Sequence, residues 1–346
     1  MPHNPHLKIG VIGCGAVAEI GHLPALRQLG VVPHLLVDAN PERLRGLQER
    51  FGAAHTASGW EAAGHELDAA IICLPHALHA PAALALLAAG VHLLVEKPLA
   101  STVQDAEAMA EAAKAKRAIL AVGLLRRFRH VARWTHGLLS AGALGDIHWI
   151  EFQEGLDGRW PLASAASLRR ETAGGGVLLD SGAHLLDLLT WWLGDAAELE
   201  YFDDRAGGVE ADAEVRLRMR CGAQGRIVLS RTRDLRQTAV IVGSRGIVEV
   251  GLHENFLRAR PRKLLRFFDG AYSGWRIPGQ FFTDLFVEQL ADFLTAISAG
   301  TAPRVGAETA LPSQRLMEQC YQRRRPLQFP WGREHPGQQL MRRAES

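Results

Sequence analysis

The first third of the sequence alternates short apolar runs with longer helical segments, and this alternation constrains the fold more than any other feature. Apolar runs bounded by Gly, Pro and polar residues predict buried strands, and the segments between them are long enough for helices. The predicted strands are residues 7–12, 34–37, 69–74, 91–95 and 119–122, and the predicted helices are residues 16–29, 41–51, 78–89 and 101–116. Strands that alternate with helices form parallel βαβ units, so we expect an α/β fold with a doubly wound parallel sheet.

The pattern changes after Gly123. Apolar and polar residues now alternate along several extended segments, and a turn bracketed by Gly243 and Gly246 is typical of a hairpin. The predicted strands here are residues 147–154, 213–220, 224–231 and 238–242, and the predicted helices are residues 126–141, 174–193, 283–299 and 306–324. We therefore expect two domains: residues 1–123 with the parallel sheet, and residues 124–346 with a large, mainly antiparallel open sheet and its helices.

Composition and charge exclude several classes of protein. The chain has 346 residues, of which 47% are hydrophobic, enough for a sizeable core. Its 39 basic and 37 acidic residues nearly cancel to a net charge of +2, which argues against a protein that coats nucleic acid or a membrane surface. Residues 69–95 carry no charge and could span a bilayer, but Pro75, Pro81 and Gly90 interrupt them. A strand, a helix and a second strand explain this stretch better than a membrane span.

The cysteines and the first residues bear on the compartment. The four cysteines are scattered and contain no CxxC pair, which predicts reduced thiols and neither a disulfide framework nor a structural zinc site. The segment before the first predicted strand lacks the basic and apolar regions of a signal peptide. Both observations predict a cytoplasmic protein.

A glycine motif follows the first predicted strand. In Gly13-x-Gly15-x-x-Ala18, the first glycine permits a tight turn, the second lets the backbone approach a pyrophosphate, and Ala18 allows close packing of the helix on the strand. Ala16 and Val17 complete the loop at the helix N-terminus, which favours anions. The strand–turn–helix context predicts dinucleotide binding.

Asp38 ends the second predicted strand, 23 residues after Gly15 (38 − 15). A carboxylate at this place can accept hydrogen bonds from the adenosine ribose hydroxyls and would repel a 2′-phosphate, which favours NAD over NADP. Arg43 is near enough in sequence to leave NADP open, and Asp38 could instead cap the helix that begins at Pro41.

Lysine is rare in this chain, so its positions stand out. Five of the 39 basic residues are lysines, and Lys97 lies in Glu96-Lys97-Pro98 at the end of a predicted parallel strand. Ligands of open α/β sheets bind beyond the carboxyl ends of the strands, so Lys97 is expected to reach the cofactor crevice. An ordinary strand-end salt bridge is the alternative. The bond before Pro98 is a candidate cis peptide bond.

A third motif combines a glycine run with polar residues on a predicted helix. Asp180, His184 and Asp187 stand at positions i, i+4 and i+7, which a regular helix places on one face. This set suits proton transfer better than a closed metal site, so no metal is expected. A neighbouring carboxylate is expected to hold His184 in one tautomer. A histidine with a purely structural role is the alternative.

Pro75, His76 and His79 follow the next predicted strand. They could line the cofactor pocket, or His79 could serve only to cap and pack the helix after it.

These motifs together are similar to those of the glucose–fructose oxidoreductase/inositol dehydrogenase (Gfo/Idh/MocA) family, and the resemblance extends over nearly the whole chain. It depends on Gly13-x-Gly15-x-x-Ala18, Pro75-x-x-x-His79, Glu96-Lys97-Pro98 and Gly175-Gly176-x-x-x-Asp180-x-Gly182-x-His184-x-x-Asp187. The resemblance implies a Rossmann domain followed by an α/β domain whose open sheet often forms subunit contacts. A homodimer or homotetramer is therefore expected.

The resemblance also implies roles for single residues. Lys97, Asp180 and His184 match the catalytic lysine, aspartate and histidine of the family, and Glu96 matches a position near the nicotinamide ribose. His76 departs from the asparagine that is common after this proline.

The expected activity is hydride transfer between NAD, with NADP not excluded, and a secondary alcohol or ketone of a sugar, cyclitol or related polyol. An NAD-dependent glycosidase with transient oxidation and a non-catalytic nucleotide sensor are the alternatives. The candidate substrate-binding residues are Arg159, Trp160, Asp180 and His184, with Arg169 and Arg170 close to them in sequence.

Overall fold

The computed structural model describes residues 7–61, 63, 66–157, 174–205, 208–261, 273–276 and 279–328. Within these ranges the first sheet has six strands, all parallel, in the order β3-β2-β1-β4-β5-β6. The strands are β1 (Ile9–Ile12), β2 (Leu35–Val37), β3 (His55–Ala57), β4 (Ala69–Ile72), β5 (His92–Val95) and β6 (Leu120–Val122). The strand order reverses direction between β1 and β4, and this switch point opens a crevice at the carboxyl ends of the strands.

Four helices connect these strands: α1 (Leu23–Gln28), α2 (Pro41–Phe51), α3 (His79–Ala88) and α4 (Val103–Lys116). Local sequence explains where they begin. The Asn40 side chain accepts hydrogen bonds from two backbone N–H groups at the start of α2, and Thr102 accepts one from Asp105 N at the start of α4. The expected doubly wound parallel sheet is confirmed.

The second sheet has nine strands within the described ranges, in the order β14-β13-β12-β11-β7-β10-β9-β8-β15. The strands are β7 (Ile147–Gly155), β8 (Ala196–Asp203), β9 (Asp212–Met219), β10 (Gln224–Ser230), β11 (Thr238–Gly243), β12 (Gly246–Gly251), β13 (Phe256–Pro261), β14 (Ser273–Arg276) and β15 (Arg324–Pro326). The pairs β7–β10 and β8–β15 are parallel, and the other pairs are antiparallel. The mainly antiparallel sheet and the β11–β12 hairpin are confirmed.

The helices of the second half are α5 (His130–Ser140), α6 (Ala183–Leu193), α7 (Phe282–Ala299) and α8 (Ala307–Gln322). Two hydrophobic cores form, one around each sheet. Helix α7 follows β14 of the second sheet in sequence, yet its Leu285, Phe286 and Phe293 belong to the first core. Val122 N also donates to Val305 O at 2.9 Å. The chain therefore returns to the first sheet near its end, and the division at residue 123 stays a proposal.

Two predicted helices begin differently from the expectation. Five-residue π-helical turns, Ala18–His22 and Leu178–Gly182, precede the regular helices α1 and α6. A π turn adds a residue to the helical turn and so changes which residues share a face. Strand β3 was not predicted, because its three residues lie at the sheet edge and lack an apolar pattern.

Within the described part of the chain, no helix combines the length and the apolar character that a membrane crossing requires.

Candidate active site

A cleft of about 560 Å³ lies where the carboxyl ends of the parallel strands face the second sheet. Eight residues singled out from the sequence line it: Ala16, Val17, His76, His79, Glu96, Lys97, Asp180 and His184. Gly13, Gly15, Asp38 and Pro75 are not part of its lining. Residues as far apart in sequence as Ala16 and His184 are thus brought to one place by the ends of β1, β4 and β5, the turn before α6 and the start of α6.

The glycine loop has the geometry that its motif predicts. Gly13 has a φ of +89°, and a Cβ there would lie 2.7 Å from the Cys73 backbone, so no larger residue fits. A Cβ at Gly15 would meet nothing within 4 Å. The backbone at Gly15 is therefore open to close approach by a ligand such as a pyrophosphate, and the loop fits a dinucleotide.

Asp38 lies beside this loop and holds it. Its Oδ2 accepts a hydrogen bond from Cys14 N at 2.9 Å, and its Oδ1 accepts one from Asn40 N at 2.9 Å. Each carboxylate oxygen keeps a further lone pair for a ribose hydroxyl. Helix α2 is capped by Asn40, so capping does not account for Asp38. Arg43 forms an ion pair with Glu19, at 2.9 Å.

Lys97 and Asp180 form the centre of the cleft. Lys97 Nζ donates to Asp180 Oδ1 at 2.6 Å and to the Asp180 carbonyl at 3.1 Å. Arg231 Nη2 donates to Asp180 Oδ2 at 3.0 Å. Burial alone would raise the pKa of Asp180, but the charges and hydrogen bonds of Lys97 and Arg231 outweigh it and lower that pKa. Asp180 is therefore an ionised carboxylate, held between two cations.

His184 is 8% exposed, and its Nδ1 has no hydrogen-bond partner among the described residues. Burial lowers the pKa of His184 well below its usual value, and the positive charges of Arg126 and Lys97 lower it further. The imidazole is therefore neutral at physiological pH. A neutral imidazole in a cleft can accept a proton from a substrate hydroxyl.

Asp187 does not accompany His184, contrary to the expectation. Its carboxylate forms a buried bidentate pair with Arg127, at 2.6 and 2.9 Å. Burial raises the pKa of Asp187 to about 6, against the opposing effect of Arg127. The π turn Leu178–Gly182 changes the position of Asp180 relative to the regular helix. His184 and Asp187 both lie in α6, but the Asp187 carboxylate contacts Arg127 and does not line the cleft. No described carboxylate hydrogen-bonds to the ring of His184.

Glu96 lines the cleft beside Lys97. Its Oε1 lies 2.8 Å from Nε2 of the fully buried His22, and its Oε2 accepts from Lys97 N at 3.1 Å. Burial would raise the pKa of Glu96, but the bond and charge of His22 and the charge of Lys97 lower it. The Lys97–Pro98 peptide bond is cis, as its sequence context suggested.

His79 has two hydrogen-bonding partners within the protein. Its Nδ1 lies 2.9 Å from Pro98 O and its Nε2 lies 2.8 Å from Leu74 O. Burial lowers the pKa of His79. The ring therefore ties the segment after β4 to the cis-proline segment. His76 is half-buried in the turn that Pro75 begins, and its ring packs against that of His79.

Sequence reasoning missed three charged or titratable residues that line the cleft, Arg126, Arg129 and His253, and the carboxylate of Glu154, which contacts two of them. Arg126 forms a bidentate pair with Glu154 at 2.5 and 2.7 Å, and His253 Nε2 lies 3.2 Å from Glu154 Oε1. The position of Arg126 and Arg129 just after β6 was the available signal, since ligands bind at the carboxyl ends of parallel strands.

Arg159, Trp160, Arg169 and Arg170 lie outside the described residues. Within the described ranges, no group of three or more His, Cys, Asp and Glu side chains could hold a metal ion.

Models of one protein family match both halves of the chain. The model of an oxidoreductase family with an NAD-binding Rossmann fold matches residues 7–124. The model of the Gfo/Idh/MocA C-terminal domain matches residues 133–249.

Individual proteins to which the chain is similar are consistent with these two matches. The chain is 26% identical over 327 residues to myo-inositol 2-dehydrogenase from Thermotoga maritima, covering 87% of this chain and 91% of that protein. It is 34% identical over 194 residues to dTDP-3,4-didehydro-2,6-dideoxy-α-D-glucose 3-reductase from Streptomyces violaceoruber, covering 54% of this chain and 55% of the reductase. The second match thus spans about half of the reductase.

The fold also matches a solved structure, that of aldose-aldose oxidoreductase from Caulobacter crescentus complexed with glycerol. The TM-score is 0.80 and the sequences are 24% identical, covering 92% of this chain and 97% of that one. The fold, the cleft and the two family models agree: the chain belongs to the Gfo/Idh/MocA oxidoreductases, and its first domain is an NAD-binding Rossmann fold.

Proposed function

We propose that this protein is an NAD-dependent dehydrogenase that oxidises a secondary alcohol of a sugar, cyclitol or related polyol to a ketone, and catalyses the reverse reduction. The observation that carries the proposal is the meeting of an ionised Lys97–Asp180 pair with a neutral, buried His184 in the cleft next to the dinucleotide loop. The myo-inositol dehydrogenase relative, aligned over nearly its whole length, supports the polyol substrate.

The cofactor would be held by residues of the first domain. The backbone at Gly13, Gly15, Ala16 and Val17 would face the pyrophosphate, and the Asp38 carboxylate would accept from the adenosine ribose. When bound, NAD supplies the hydride acceptor, which takes the carbinol hydrogen with its two electrons. Glu96, in the lining of the cleft, would contact the nicotinamide end.

His184 takes the hydroxyl proton as the carbinol carbon loses its hydride. Its lowered pKa keeps the ring free to accept that proton at physiological pH. In the reverse direction, protonated His184 returns the proton to the alkoxide oxygen.

Lys97 stabilises the negative charge that develops on the substrate oxygen. Its ammonium lies in the cleft and carries three N–H donors, of which two contact Asp180. Asp180 fixes the position of that ammonium and is the positioning carboxylate of the site. His79 plays a structural part, because its ring holds the Lys97–Pro98 segment through Pro98 O.

The test is a panel of sugars, cyclitols and polyols with NAD and with NADP, followed at the absorbance of the reduced cofactor. We expect reduction of NAD with at least one polyol, and little with NADP. Release of a sugar from a glycoside without accumulation of NADH would favour the glycosidase. Tight NADH binding with no reaction on any compound would favour the sensor.

We also propose that the second sheet mediates self-association. Helices α5, α6 and α8 pack beside it, whereas residues such as Glu198, Arg216 and Arg218 on its strands are exposed. Light scattering coupled to gel filtration should give twice or four times the mass of 37.8 kDa. A monomer at micromolar concentration would contradict this proposal.

The free cysteines support a reducing compartment, the cytoplasm.

A further inference from the structure

Arg129 is a buried cation in the active-site cleft without a carboxylate partner among the described residues. It is 8% exposed, and it lines the same cleft as Lys97 and His184. Its Nη2 donates to His253 O at 2.7 Å and to Asn255 Oδ1 at 3.1 Å, both neutral acceptors. Its Nε is buried and has no hydrogen-bond partner in the described part of the chain.

The other cations that line the cleft, and the neighbouring Arg231, contact carboxylates. Lys97 and Arg231 both contact Asp180. Arg126 takes both oxygens of Glu154, and His253 is the further neighbour of that carboxylate. Glu154 is therefore already engaged, and the positive charge of Arg129 is left over.

A buried charge without a counter-charge is costly, so it persists where something compensates it. Burial and the charge of Arg126 lower the pKa of Arg129 to about 10, against the opposing charge of Glu154, which does not contact Arg129 and is bound to Arg126. At neutral pH the guanidinium is still charged. The polar network of Asn255 and the His253 carbonyl fixes it in place rather than neutralising it.

We propose that Arg129 binds an anionic group of the substrate, so that this enzyme acts on a sugar or polyol that carries a carboxylate or a phosphate. This inference rests on the proposed dehydrogenase function and narrows its substrate class. Guanidinium groups bind both kinds of anion through charge-assisted hydrogen bonds. The anion would lie at Arg129 while a secondary hydroxyl of the same molecule reaches Lys97 and His184.

The experiment measures the binding of matched compounds to the enzyme saturated with NADH, by isothermal titration calorimetry. The compounds are a neutral hexose, the corresponding uronic acid and the corresponding hexose 6-phosphate. Steady-state rates with NAD on the same three compounds follow. The variants are Arg129→Gln, Arg129→Lys and, as a matched control, Arg133→Gln, whose residue lies four positions along the chain, outside the cleft lining, in an ion pair with Glu288.

We expect the wild type to bind one of the two anions about 10- to 100-fold more tightly than the neutral hexose, the range of one or two hydrogen bonds to a charged group. The identity of that anion distinguishes a sugar acid from a sugar phosphate. Arg129→Gln should remove the preference and leave NADH binding and binding of the neutral hexose within a few-fold of wild type. Arg133→Gln should keep the preference.

Equal binding of all three compounds by the wild type would overturn the inference, as would a preference that survives Arg129→Gln. If Arg129→Gln does not fold, judged by circular dichroism and by NADH binding, Arg129→Lys decides. That variant should still prefer the anion but bind it several-fold more weakly, and unchanged affinity would overturn the inference. Absence of turnover on every compound would instead count against the dehydrogenase function, while the calorimetric comparison still decides the role of Arg129.

Discussion

Lys97 Nζ lies 2.6 Å from Asp180 Oδ1 and 3.1 Å from the carbonyl oxygen of the same residue, although the two residues are 83 positions apart. Lys97 lies two residues after β5 of the parallel sheet, and Asp180 lies in the turn before α6. This contact joins the two halves of the chain at the point where the chemistry is proposed. The charge and hydrogen bond of Lys97 lower the pKa of Asp180 and so help to keep its carboxylate ionised.

Replacing Lys97 tests whether its ammonium stabilises the substrate oxygen. Lys97→Met should lower kcat by about 10²- to 10³-fold, the usual loss for one donor to a developing negative charge. Lys97→Arg should restore little, because the planar guanidinium has a different shape and does not reproduce both bonds to Asp180. NADH affinity, measured by fluorescence titration, should hardly change. Full activity of Lys97→Arg would mean that the site needs only a positive charge.

Replacing His184 tests the proton acceptor. His184→Ala should lower kcat by about 10²- to 10⁴-fold, the range for loss of a general base. Binding of NADH should be retained, since His184 lies on α6 rather than in the dinucleotide loop. Normal turnover of this variant on a good substrate would exclude His184 as the base.

The pH profile of the wild type follows from the lowered pKa of His184. Burial and the charges of Arg126 and Lys97 disfavour the protonated ring, so the reactive neutral form persists as the pH falls. We expect kcat/KM for alcohol oxidation to stay level from pH 8 to below the ordinary histidine range near 6.5. Circular dichroism at each pH controls for unfolding. An acidic limb with its midpoint at 6.5 or above would contradict this environment for His184.

Replacing Asp187 should lower the stability of the protein and leave its catalytic rate unchanged. Asp187→Asn leaves the Arg127 guanidinium buried without its counter-charge and should cost about 3–5 kcal/mol in the free energy of unfolding. Denaturant melts would measure this. The exposed pair Arg315–Glu107 provides the control, because Glu107→Gln should change stability by about 1 kcal/mol at most. A large fall in the kcat of the folded Asp187→Asn variant would show that Asp187 contributes to catalysis.

Asp38 should set the choice of cofactor. Asp38→Ser removes the acceptor for the ribose hydroxyls and the repulsion of a 2′-phosphate, so the ratio of kcat/KM for NAD to that for NADP should fall. NAD affinity should fall by about 10- to 100-fold. Because Asp38 also binds Cys14 N and Asn40 N, thermal melts must show that the loop remains folded. An unchanged ratio of kcat/KM for NAD to that for NADP would mean that residues other than Asp38 discriminate between the two cofactors.

Local patterns in the sequence predicted the parallel sheet, the mainly antiparallel character of the second sheet and the glycine loop, and the structure brings Lys97, Asp180 and His184 to one cleft. They failed where an element departs from regular geometry. The π turn before α6 alters the spacing between Asp180 and the residues of α6, and periodicity reasoning assumes a regular helix. Periodicity also does not reveal that the Asp187 carboxylate pairs with Arg127. Local patterns also failed for two buried charged residues. Arg129 contacts His253, 124 positions further along the chain. Glu154 lies in the second sheet and contacts Arg126, which follows the last strand of the first sheet. Such contacts exist only in the folded chain.

The return of α7 to the first core has a consequence for synthesis of the protein. Phe286 packs against Gly21 and the ring of His22, in the helical turn that follows the dinucleotide loop. A nascent chain that has been synthesised only as far as β6 therefore lacks part of the core that packs against this turn. The Rossmann half cannot complete its packing until residues near 300 have left the ribosome. Assembly of the cofactor site is thereby coupled to completion of the substrate half, and an N-terminal fragment would expose apolar surface that the full chain covers.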